Sequence, residues 1–391
     1  MIENELAGDL KSKWKCLQKT MQKDGADGCL LATAANLFYM TGRLYNGYFF
    51  LPPAGEPWFF VKRPAGLSGD HVSYIRKPEE ITDILKANGV GQADKLLLEG
   101  GELPYNDYMR LLSVFNPRHT ADATAVLRAQ RMVKTAWEIE QLRISARRHA
   151  LTYAAIPGCY RPGMTDLDLQ YEIERIMRRN GSLGVFRTFG SNMDIFQGSV
   201  LAGDNAGAPS PFDFALGGKG INASLPIGAD GTALEKGMAV MVDMAGNYTA
   251  YLTDMTRTFS VGELPGAAYD AHKVSIDIVR EIESVARPGM SCAHIYEIAG
   301  SRVARHGLED CFMGGIQKAR FVGHGIGIEI NEPPVMTPRS RDVLEEGMTF
   351  ALEPKFVIPG VGAVGVEDSF LVTRAGLEKL TYAEEEIISL I

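Results

Sequence analysis

The sequence has few of the features that mark secreted, membrane-spanning or nucleic-acid-binding proteins. Its 391 residues include only five cysteines, an odd number without C-x-x-C spacing, which argues against a disulfide framework and for a reducing compartment. No apolar run approaches the ~20 residues of a membrane span, and the polar N-terminal segment lacks the apolar core of a signal peptide. A net charge of −8 without a Lys/Arg run disfavours a nucleic-acid partner. These absences predict a cytoplasmic protein that binds neither membranes nor nucleic acids.

The length and composition predict two or three globular domains, because a domain holds roughly 150 residues and an apolar content of 46% is ordinary for a globular chain. In the first third of the chain, short apolar runs alternate with helical patterns, which is typical of an α/β domain. We predict helices at 8–24, 78–88 and 105–113, and strands at 29–33, 47–51, 58–61 and 95–98. The predicted domains are 1–127, in which we find no catalytic set, and 128–391.

A short pattern occurs twice in the second domain. The sequence R-P-G-M followed by Thr or Ser occupies 161–165 and 287–291, and each copy precedes a helical pattern that ends at Gly181 or Gly307. The offset is 126 residues at both the start and the end of the pattern. Thr165 has the side chain of a helix N-cap. Because the matched offsets make chance recurrence the poorer explanation, we predict two similar halves related by a pseudo-twofold axis.

Two aspartates lie in an otherwise apolar or threonine-rich stretch at 238–262. Asp243 ends a buried strand pattern at 240–242, and Asp254 lies in a second strand pattern after a turn at 246–248. A hairpin would bring the two carboxylates side by side. Close carboxylates repel unless a proton or a cation lies between them, and burying them unpaired is costly. The stretch therefore predicts a metal site.

Three later segments supply further candidate ligands. His324 lies in the glycine-rich segment F-V-G-H-G-I-G, and Glu353 and Glu367 each end an apolar strand pattern. Two Asp, one His and two Glu suit a pair of Mn, Co, Fe or Zn ions better than a structural zinc, which favours thiolates. Each residue alone has an ordinary explanation as a turn carboxylate, a packed loop histidine or a strand-end charge. The prediction therefore depends on the complete set.

The five residues, in this order and spacing, resemble the pita-bread metallopeptidases, which include aminopeptidase P, prolidase and methionine aminopeptidase. The shared patterns are D-x(10)-D-x-T-R-T-F, G-H-G-I-G, E-P after an apolar strand, and the final E-D. The resemblance covers roughly 131–391, and a looser likeness, including N-x-x-Y-x-T-G at 36–42, covers the N-terminal part. It implies a creatinase-like α/β domain followed by a pita-bread domain of α+β type, a homodimer, and a structural role for Arg257.

The resemblance also implies dinuclear metal-assisted hydrolysis with two divalent ions (Mn, Co, Zn or Fe). Asp243 would bind one ion, and His324 and Glu353 mainly the other. Asp254 and Glu367 would bridge the two ions. A water between the ions would lose a proton more easily, and Glu353 would be the catalytic residue that carries this proton. The implied reaction removes the N-terminal residue from a small peptide, often before proline.

The sequence departs from these peptidases at two positions where they carry histidine. About 17 residues before the first Asp this chain has Leu225–Ile227, and no histidine occurs between His149 and His272. At the second position, Asn331 replaces the histidine of H-E-x-P, and asparagine cannot carry a proton as imidazolium does. Asn331 and Asn205, which lies in a segment similar to the family's S-G-x-N, are the candidate substrate contacts.

These departures leave three functions open. The first is a dinuclear hydrolase of the Xaa-Pro aminopeptidase or dipeptidase type. The second is a hydrolase of a non-peptide amide or another C–N compound, as in the creatinase-like branch. The third is a pita-bread domain that has lost catalysis and serves as a binding module, which is disfavoured because such domains usually lose metal ligands.

Overall fold

The computed structural model describes residues 2–185, 187–190 and 197–391. Contacts divide the chain into two compact units, Met1–Arg131 and Met132–Ile391. The boundary predicted from the sequence, between 127 and 128, falls inside a helix at Ala123–Met132. None of the helices in the described ranges is both long and apolar enough to cross a lipid bilayer. All five cysteines are described, and each is a free thiol.

The first unit is built on a six-stranded mixed sheet. Its strands are β1 Gly28–Leu31, β2 Asn46–Leu51, β3 Trp58–Arg63, β4 Val72–Tyr74, β5 Lys95–Leu98 and β6 His119–Asp122, in the spatial order β4-β3-β2-β1-β5-β6. Its helices are α1 Ile2–Asp24, α2 Ala34–Thr41, α3 Glu79–Ala87, α4 Tyr105–Phe115 and α5 Ala123–Met132. The pairs β1–β2 and β2–β3 are antiparallel, and the other three pairs are parallel. All seven elements predicted in this part of the chain occur.

The second unit contains four long helices and eleven strands within its described residues. The helices are α6 Ala136–Ala155, α7 Asp166–Arg179, α8 Gly266–Val285 and α9 Cys292–Arg305. The strands are β7 Gly198–Ala202, β8 Ala239–Gly246, β9 Thr253–Ser260, β10 Gly323–Gly325, β11 Glu332–Val335, β12 Thr349–Leu352, β13 Lys355–Ile358, β14 Gly362–Gly365, β15 Asp368–Thr373, β16 Gly376–Lys379 and β17 Ile388–Ser389. They form the sheets β17-β9-β8-β7 and β11-β10-β12-β15-β16, and the hairpin β13-β14.

The predicted internal repeat is present in the second unit. Thr165 caps α7 by accepting a hydrogen bond from Asp168 N at 3.2 Å, and Ser291 caps α9 by accepting one from His294 N at 3.2 Å. Each capping residue also forms an antiparallel bridge to a later segment, Thr165 to Ala233 and Ser291 to Val343. The two halves therefore repeat a helix and the segment that leads into the next long strand.

The later segments repeat as well. The pair Gly-Met at 237–238 recurs at 347–348, and both copies lead into a buried strand, β8 or β12. The offset here is 110 residues (237 to 347), and at this offset Asp243 in β8 corresponds to Glu353, which directly follows β12. The pseudo-twofold relation thus places two of the predicted ligands at equivalent positions in the two halves.

The predicted hairpin is confirmed. Strands β8 and β9 are antiparallel, with Asp243 opposite Thr256 and Asp254 opposite Ala245. Residues that lie opposite each other in a sheet, and residues two apart in one strand, point to the same face. The two aspartates therefore share a face of this hairpin.

Candidate metal centre

All five predicted ligands line a single cavity of about 360 Å³ in the second unit. Asp243 and Asp254 come from the β8–β9 hairpin, and His324 lies in β10. Glu353 directly follows β12, and Glu367 directly precedes β15. Four separate chain segments thus converge on this cavity, as the sequence predicts.

Strand pairing explains the convergence of the two later segments. In the five-stranded sheet β12 pairs with both β10 and β15, so that His324 lies opposite Ala351 and Asp368 lies opposite Leu352. Glu353 and Glu367 are the neighbours of the second pair along the chain. Because β12 and β15 are adjacent, Glu353 at the end of β12 and Glu367 before the start of β15 both place their carboxylates at the cavity.

A second contact joins this sheet to the hairpin. Thr256 N donates to Glu367 O at 3.3 Å, and Glu367 N donates to Thr256 O at 3.1 Å. The hydroxyl of Thr256 also donates to Glu367 Oε2 at 2.6 Å, and Asp254 N donates to Ser369 Oγ at 2.9 Å. These hydrogen bonds fix the position of the Glu367 carboxylate against the hairpin that carries the two aspartates.

The ligand atoms form two overlapping groups that share Glu367. One group is Asp254, His324 and Glu367, the other is Asp243, Glu353 and Glu367, and within each group the atoms lie within 4.8 Å of one another. His324 Nε2 lies 3.7 Å from Asp254 Oδ2 and 4.0 Å from Glu367 Oε1. It also lies 3.4 Å from Glu353 Oε1.

The first group fits a divalent metal ion. Two carboxylates and an imidazole are a donor set that Mn, Fe, Co and Zn accept. The Oε1 atom of Glu367 points to a missing partner, because it is buried and makes no hydrogen bond to any described residue. A buried carboxylate oxygen without a partner is costly, and a cation between this oxygen and His324 would satisfy it.

The second group already contains a cation. The ammonium group of Lys355 donates hydrogen bonds to Asp243 Oδ2 at 2.8 Å, Glu353 Oε2 at 2.6 Å and Glu367 Oε2 at 3.0 Å. The side chain of Lys355 is 0% exposed. Because an ammonium group has three N–H donors, these contacts use all of them. The residues present therefore do not fit a further metal ion among these three carboxylates.

Lys355 is the residue that the sequence analysis missed. A weak signal for it exists, because it lies two residues after Glu353 in an extended segment, and side chains two apart in a strand point to the same face. Without the fold, however, a lysine that begins the strand pattern K-F-V-I reads as a solvated strand end. The sequence does not show that the side chain of Lys355 points toward the carboxylates of the cavity rather than toward solvent.

The charges of the cluster shift its pKa values strongly. Burial, followed by the charge of Glu367, raises the pKa of Asp254 well above its usual range. Burial, followed by the charge of Glu353, also raises the pKa of Glu367, to about 8. For Glu353 burial acts in the same direction, but Lys355 and His324 outweigh it and lower the pKa to about 2. One ammonium group therefore does not neutralise four carboxylates.

The pKa values of the two groups that can carry a positive charge are also raised, although burial opposes this shift. Burial alone would lower the pKa of Lys355, but the charges of Asp243, Glu353 and Glu367 outweigh burial and raise it well above the usual lysine range. Burial likewise opposes protonation of His324, but its contact with Glu353 raises the pKa to about 9. Excess negative charge at the centre therefore favours the binding of cations.

The two candidate substrate contacts lie in different places. Asn331 lines the cavity, and its side-chain amide holds the backbone of Phe189, accepting from Phe189 N at 2.7 Å and donating to Phe189 O at 2.9 Å. Asn205 is buried and does not line the cavity among the described residues. Its amide donates to Gly228 O at 3.0 Å and accepts from Lys219 N at 2.8 Å. A role of either residue in substrate binding stays a prediction.

The remaining cavity wall is mostly apolar. The apolar lining side chains are Phe189, Phe214, Ala215, Leu216, Ile227, Ala245, Phe321, Ile330 and Val335. Ile227 belongs to the segment that lacks the family histidine. Asp213 is a further acidic residue of the lining, and it is exposed. Among the described lining residues there is no lysine or arginine.

The structural role expected for Arg257 is supported by its contacts. Its guanidinium group is buried and donates to Asp368 Oδ1 at 2.8 Å and to Glu367 O at 2.9 Å. Arg257 therefore holds two consecutive residues, Glu367 by its backbone carbonyl and Asp368 by its side-chain carboxylate. It contacts the cavity only through the residue that it positions.

Comparison with known families and proteins finds similarity over both units of the chain. The family described as "Metallopeptidase family M24" matches residues 140–374, and the "Creatinase/Prolidase N-terminal domain" matches residues 13–133. The chain is 24% identical over 386 residues to a Xaa-Pro dipeptidase of Pyrococcus furiosus, covering 97% of this chain and 100% of that protein. It is 26% identical over 396 residues to an uncharacterized peptidase of Bacillus subtilis, with coverages of 94% and 96%.

Two solved structures show the same fold. The prolidase from Pyrococcus horikoshii OT3 superposes with a TM-score of 0.77 at 22% identity, covering 96% of this chain and 100% of that one. The Xaa-Pro dipeptidase from Bacillus anthracis superposes with a TM-score of 0.79 at 24% identity, with coverages of 97% and 99%. These likenesses confirm the predicted succession of a creatinase-like domain and a pita-bread domain.

Proposed function

Because the chain is a hydrolase that belongs to metallopeptidase family M24, we propose that its cavity cleaves a C–N bond of a small peptide or amide with the help of a divalent metal ion. Asp254, His324 and Glu367 would hold this ion. The observation that carries the proposal is the buried Oε1 atom of Glu367, which faces His324 at 4.0 Å and makes no hydrogen bond to a described residue.

The metal and the chain's own residues have separate tasks. A bound divalent ion supplies positive charge that polarises a carbonyl group and makes a water molecule more acidic. Lys355 donates to Glu353 Oε2 at 2.6 Å, and the other carboxylate oxygen, Oε1, lies 3.4 Å from His324 Nε2. The assignment of Glu353 as the residue that carries the proton stays a prediction. Lys355 and Thr256 both donate to Glu367 Oε2, which leaves Oε1 to face His324.

The cavity wall favours a substrate without a free carboxylate close to the cleaved bond. Apolar side chains form most of the wall, Asp213 adds a negative charge, and the described lining contains no lysine or arginine. The C-terminal carboxylate of a dipeptide would therefore be desolvated without a cationic partner, which is costly. We propose a peptide extended beyond a dipeptide, or a neutral or cationic amide.

A non-peptide amide is the second candidate. The segment that lacks the family histidine presents the apolar side chain of Ile227 to the cavity, and Asn331 uses its amide to hold Phe189. Neither can replace an imidazole as a proton donor. A substrate with a better leaving group than a peptide nitrogen would depend less on such a donor.

The test is hydrolysis by the purified protein loaded with Mn²⁺, Co²⁺ or Zn²⁺. The matched substrates are an Xaa-Pro dipeptide, the same dipeptide amidated at its C-terminus, an Xaa-Pro-Xaa tripeptide and a small non-peptide amide. We expect the amidated or extended substrates, or the non-peptide amide, to be cleaved at least about 10-fold faster than the free dipeptide. His324→Ala should abolish this activity, because it removes the imidazole ligand.

Two results would contradict the proposal. Fastest cleavage of the free dipeptide would show that the cavity accepts its carboxylate, and would contradict the prediction that the apolar and acidic wall disfavours this group. A lack of turnover with every metal and substrate would favour the binding-module alternative.

The homodimer and the cytoplasmic location also stay predictions. Light scattering after size-exclusion chromatography would test the homodimer.

A further inference from the structure

We propose that the ammonium group of Lys355 takes the cation position among Asp243, Glu353 and Glu367, so that the centre binds one divalent metal ion instead of two. The single ion would lie at Asp254, His324 and Glu367. The presence of the single ion rests on the proposed function. The exclusion of a second ion rests on the contacts of Lys355.

The contacts leave no room for a second ion beside the ammonium group. The Nζ atom of Lys355 lies 2.8, 2.6 and 3.0 Å from one oxygen each of Asp243, Glu353 and Glu367. A zinc ion, for comparison, binds carboxylate oxygens at about 2.0–2.2 Å. An ion within such distances of the same three oxygens would collide with the nitrogen that already lies among them.

The backbone of Lys355 is held in place from several sides. Lys355 lies opposite Gly365 in the β13–β14 hairpin, and its carbonyl oxygen accepts a hydrogen bond from Met313 N at 2.8 Å. The approach to Gly365 is close, because a Cβ atom there would lie 3.0 Å from Lys355 Cα. The side chain is fully buried, so the ammonium group cannot leave the carboxylates for solvent without opening this packing.

Glu367 divides its two oxygens between the two cation positions. Its Oε2 atom accepts hydrogen bonds from Lys355 and Thr256, whereas its Oε1 atom faces His324 and has no hydrogen-bond partner in the described part of the chain. One ammonium group and one divalent ion together supply three positive charges against four carboxylates. The lysine therefore replaces part of the charge that a second metal ion would bring.

The experiment measures how many metal ions the intact protein binds. Chains saturated with Mn²⁺ and freed of excess metal are analysed by elemental analysis and by electron paramagnetic resonance. We expect one Mn²⁺ per wild-type chain with the six-line signal of an isolated ion. Lys355→Ala should bind two, with the exchange-coupled signal of a pair.

Two control variants separate the charge of Lys355 from its volume and from general damage. Lys355→Met keeps the bulk of the side chain without its charge and should stay at one Mn²⁺, since the thioether still fills the position. Lys134→Ala removes another buried lysine of the same unit, which pairs with Glu332 at 2.9 Å, and should also stay at one.

Each outcome decides the inference. Two coupled ions in the wild type would overturn it, and so would a count that is the same in Lys355→Ala as in the wild type. Should Lys355→Ala fail to fold, the spectrum of the wild type alone decides between an isolated ion and a pair. No ion in the wild type with one in Lys355→Ala would uphold the position of the lysine and contradict the proposed metal-dependent function. Failure of hydrolysis with one ion bound would leave this inference standing.

Discussion

At the scale of single residues, the buried ion pair between Arg257 and Asp368 stabilises the segment that carries Glu367. Their side chains are 1% and 0% exposed and 2.8 Å apart, and Arg257 also donates to the carbonyl oxygen of Glu367. Removing one partner of a buried pair leaves the other charge without compensation, which costs far more than the pair contributes when intact.

We therefore expect Arg257→Met to lower the free energy of unfolding by about 3–5 kcal/mol, measured by urea denaturation. Arg143→Met is the matched control, because Arg143 pairs with Glu378 at 2.9 Å while both side chains are 39% exposed. Its cost should stay below about 1 kcal/mol. Equal costs for the two variants would show that burial does not determine the contribution of Arg257.

The residues of the centre were predictable to different degrees. The convergence of the five predicted residues on one cavity could be anticipated from the sequence, because each ends or interrupts an apolar strand pattern, where a polar or charged side chain needs a partner. Lys355 could not, since its role depends on the register of β13 against β14 and on which side of that hairpin the carboxylates lie. The pairing of Asn331 with the backbone of Phe189 depends on two segments more than a hundred residues apart in the chain.

At the scale of elements, the β13–β14 hairpin sets the position of Lys355. Gly365, opposite Lys355, has φ +146°, a conformation that residues other than glycine rarely adopt. A Cβ atom at this position would lie 2.6 Å from Pro354 O, closer than real contacts allow. The hairpin therefore requires glycine here.

Gly365→Ala should destabilise the protein by about 1–3 kcal/mol, because the backbone must leave this conformation or displace the Glu353–Lys355 segment. Thermal unfolding followed by circular dichroism measures the loss. Gly300→Ala is the control, since Gly300 lies inside α9, has no atom within 4 Å of the added methyl group, and should stabilise by up to about 1 kcal/mol. If both variants melted like the wild type, the close approach at Gly365 would carry no constraint.

Elements were predictable where the pattern was long or carried a clear end signal. The helices α7 and α9 were found because a capping residue precedes each of them and a glycine follows its end. In the first unit β4 has three residues and β6 is mostly exposed, so neither shows the alternation that marks a half-buried strand. Pairing with a neighbour in the sheet, which the sequence does not display, forms these strands.

At the scale of the whole molecule, composition predicted a chain of more than one unit, and the observed units divide four residues after the predicted boundary. The difference arises because α5 continues across 127–128 and was not recognised. The repeat in the second unit was visible through its capping residues. The later part of the repeat, in which Asp243 corresponds to Glu353, was not recognised because the two equivalent positions hold different acidic residues.

Buried histidines make the stability of the second unit depend on pH. His149 is fully buried, its Nδ1 atom lies 3.1 Å from Thr253 Oγ1, and its Nε2 atom has no hydrogen-bond partner among the described residues. Burial, followed by the charge of Arg257, lowers its pKa to about 3. Burial also lowers the pKa of His272.

The direction of this pH dependence follows from the number of protons that the folded and the unfolded chain bind. Below pH 6.5 the unfolded chain protonates His149 while the folded chain does not, so unfolding takes up a proton and is favoured by acid. The stabilising effect of the neutral folded histidine is complete above pH 6.5 and is lost progressively as the pH falls toward about 3. The loss is about 1.4 kcal/mol per pH unit within this window.

The measurement compares urea unfolding at pH 7.5 and pH 5.0 for the wild type and His149→Gln, whose amide can still bond to Thr253 but does not titrate. Between these two values the wild type should lose about 2 kcal/mol more than the variant, because only the wild-type unfolded chain gains the extra proton at position 149. His306→Gln, which alters an exposed histidine, should follow the wild type. Equal losses in the wild type and His149→Gln would mean that His149 is protonated in the folded state as readily as in the unfolded chain, against its burial without a partner for Nε2.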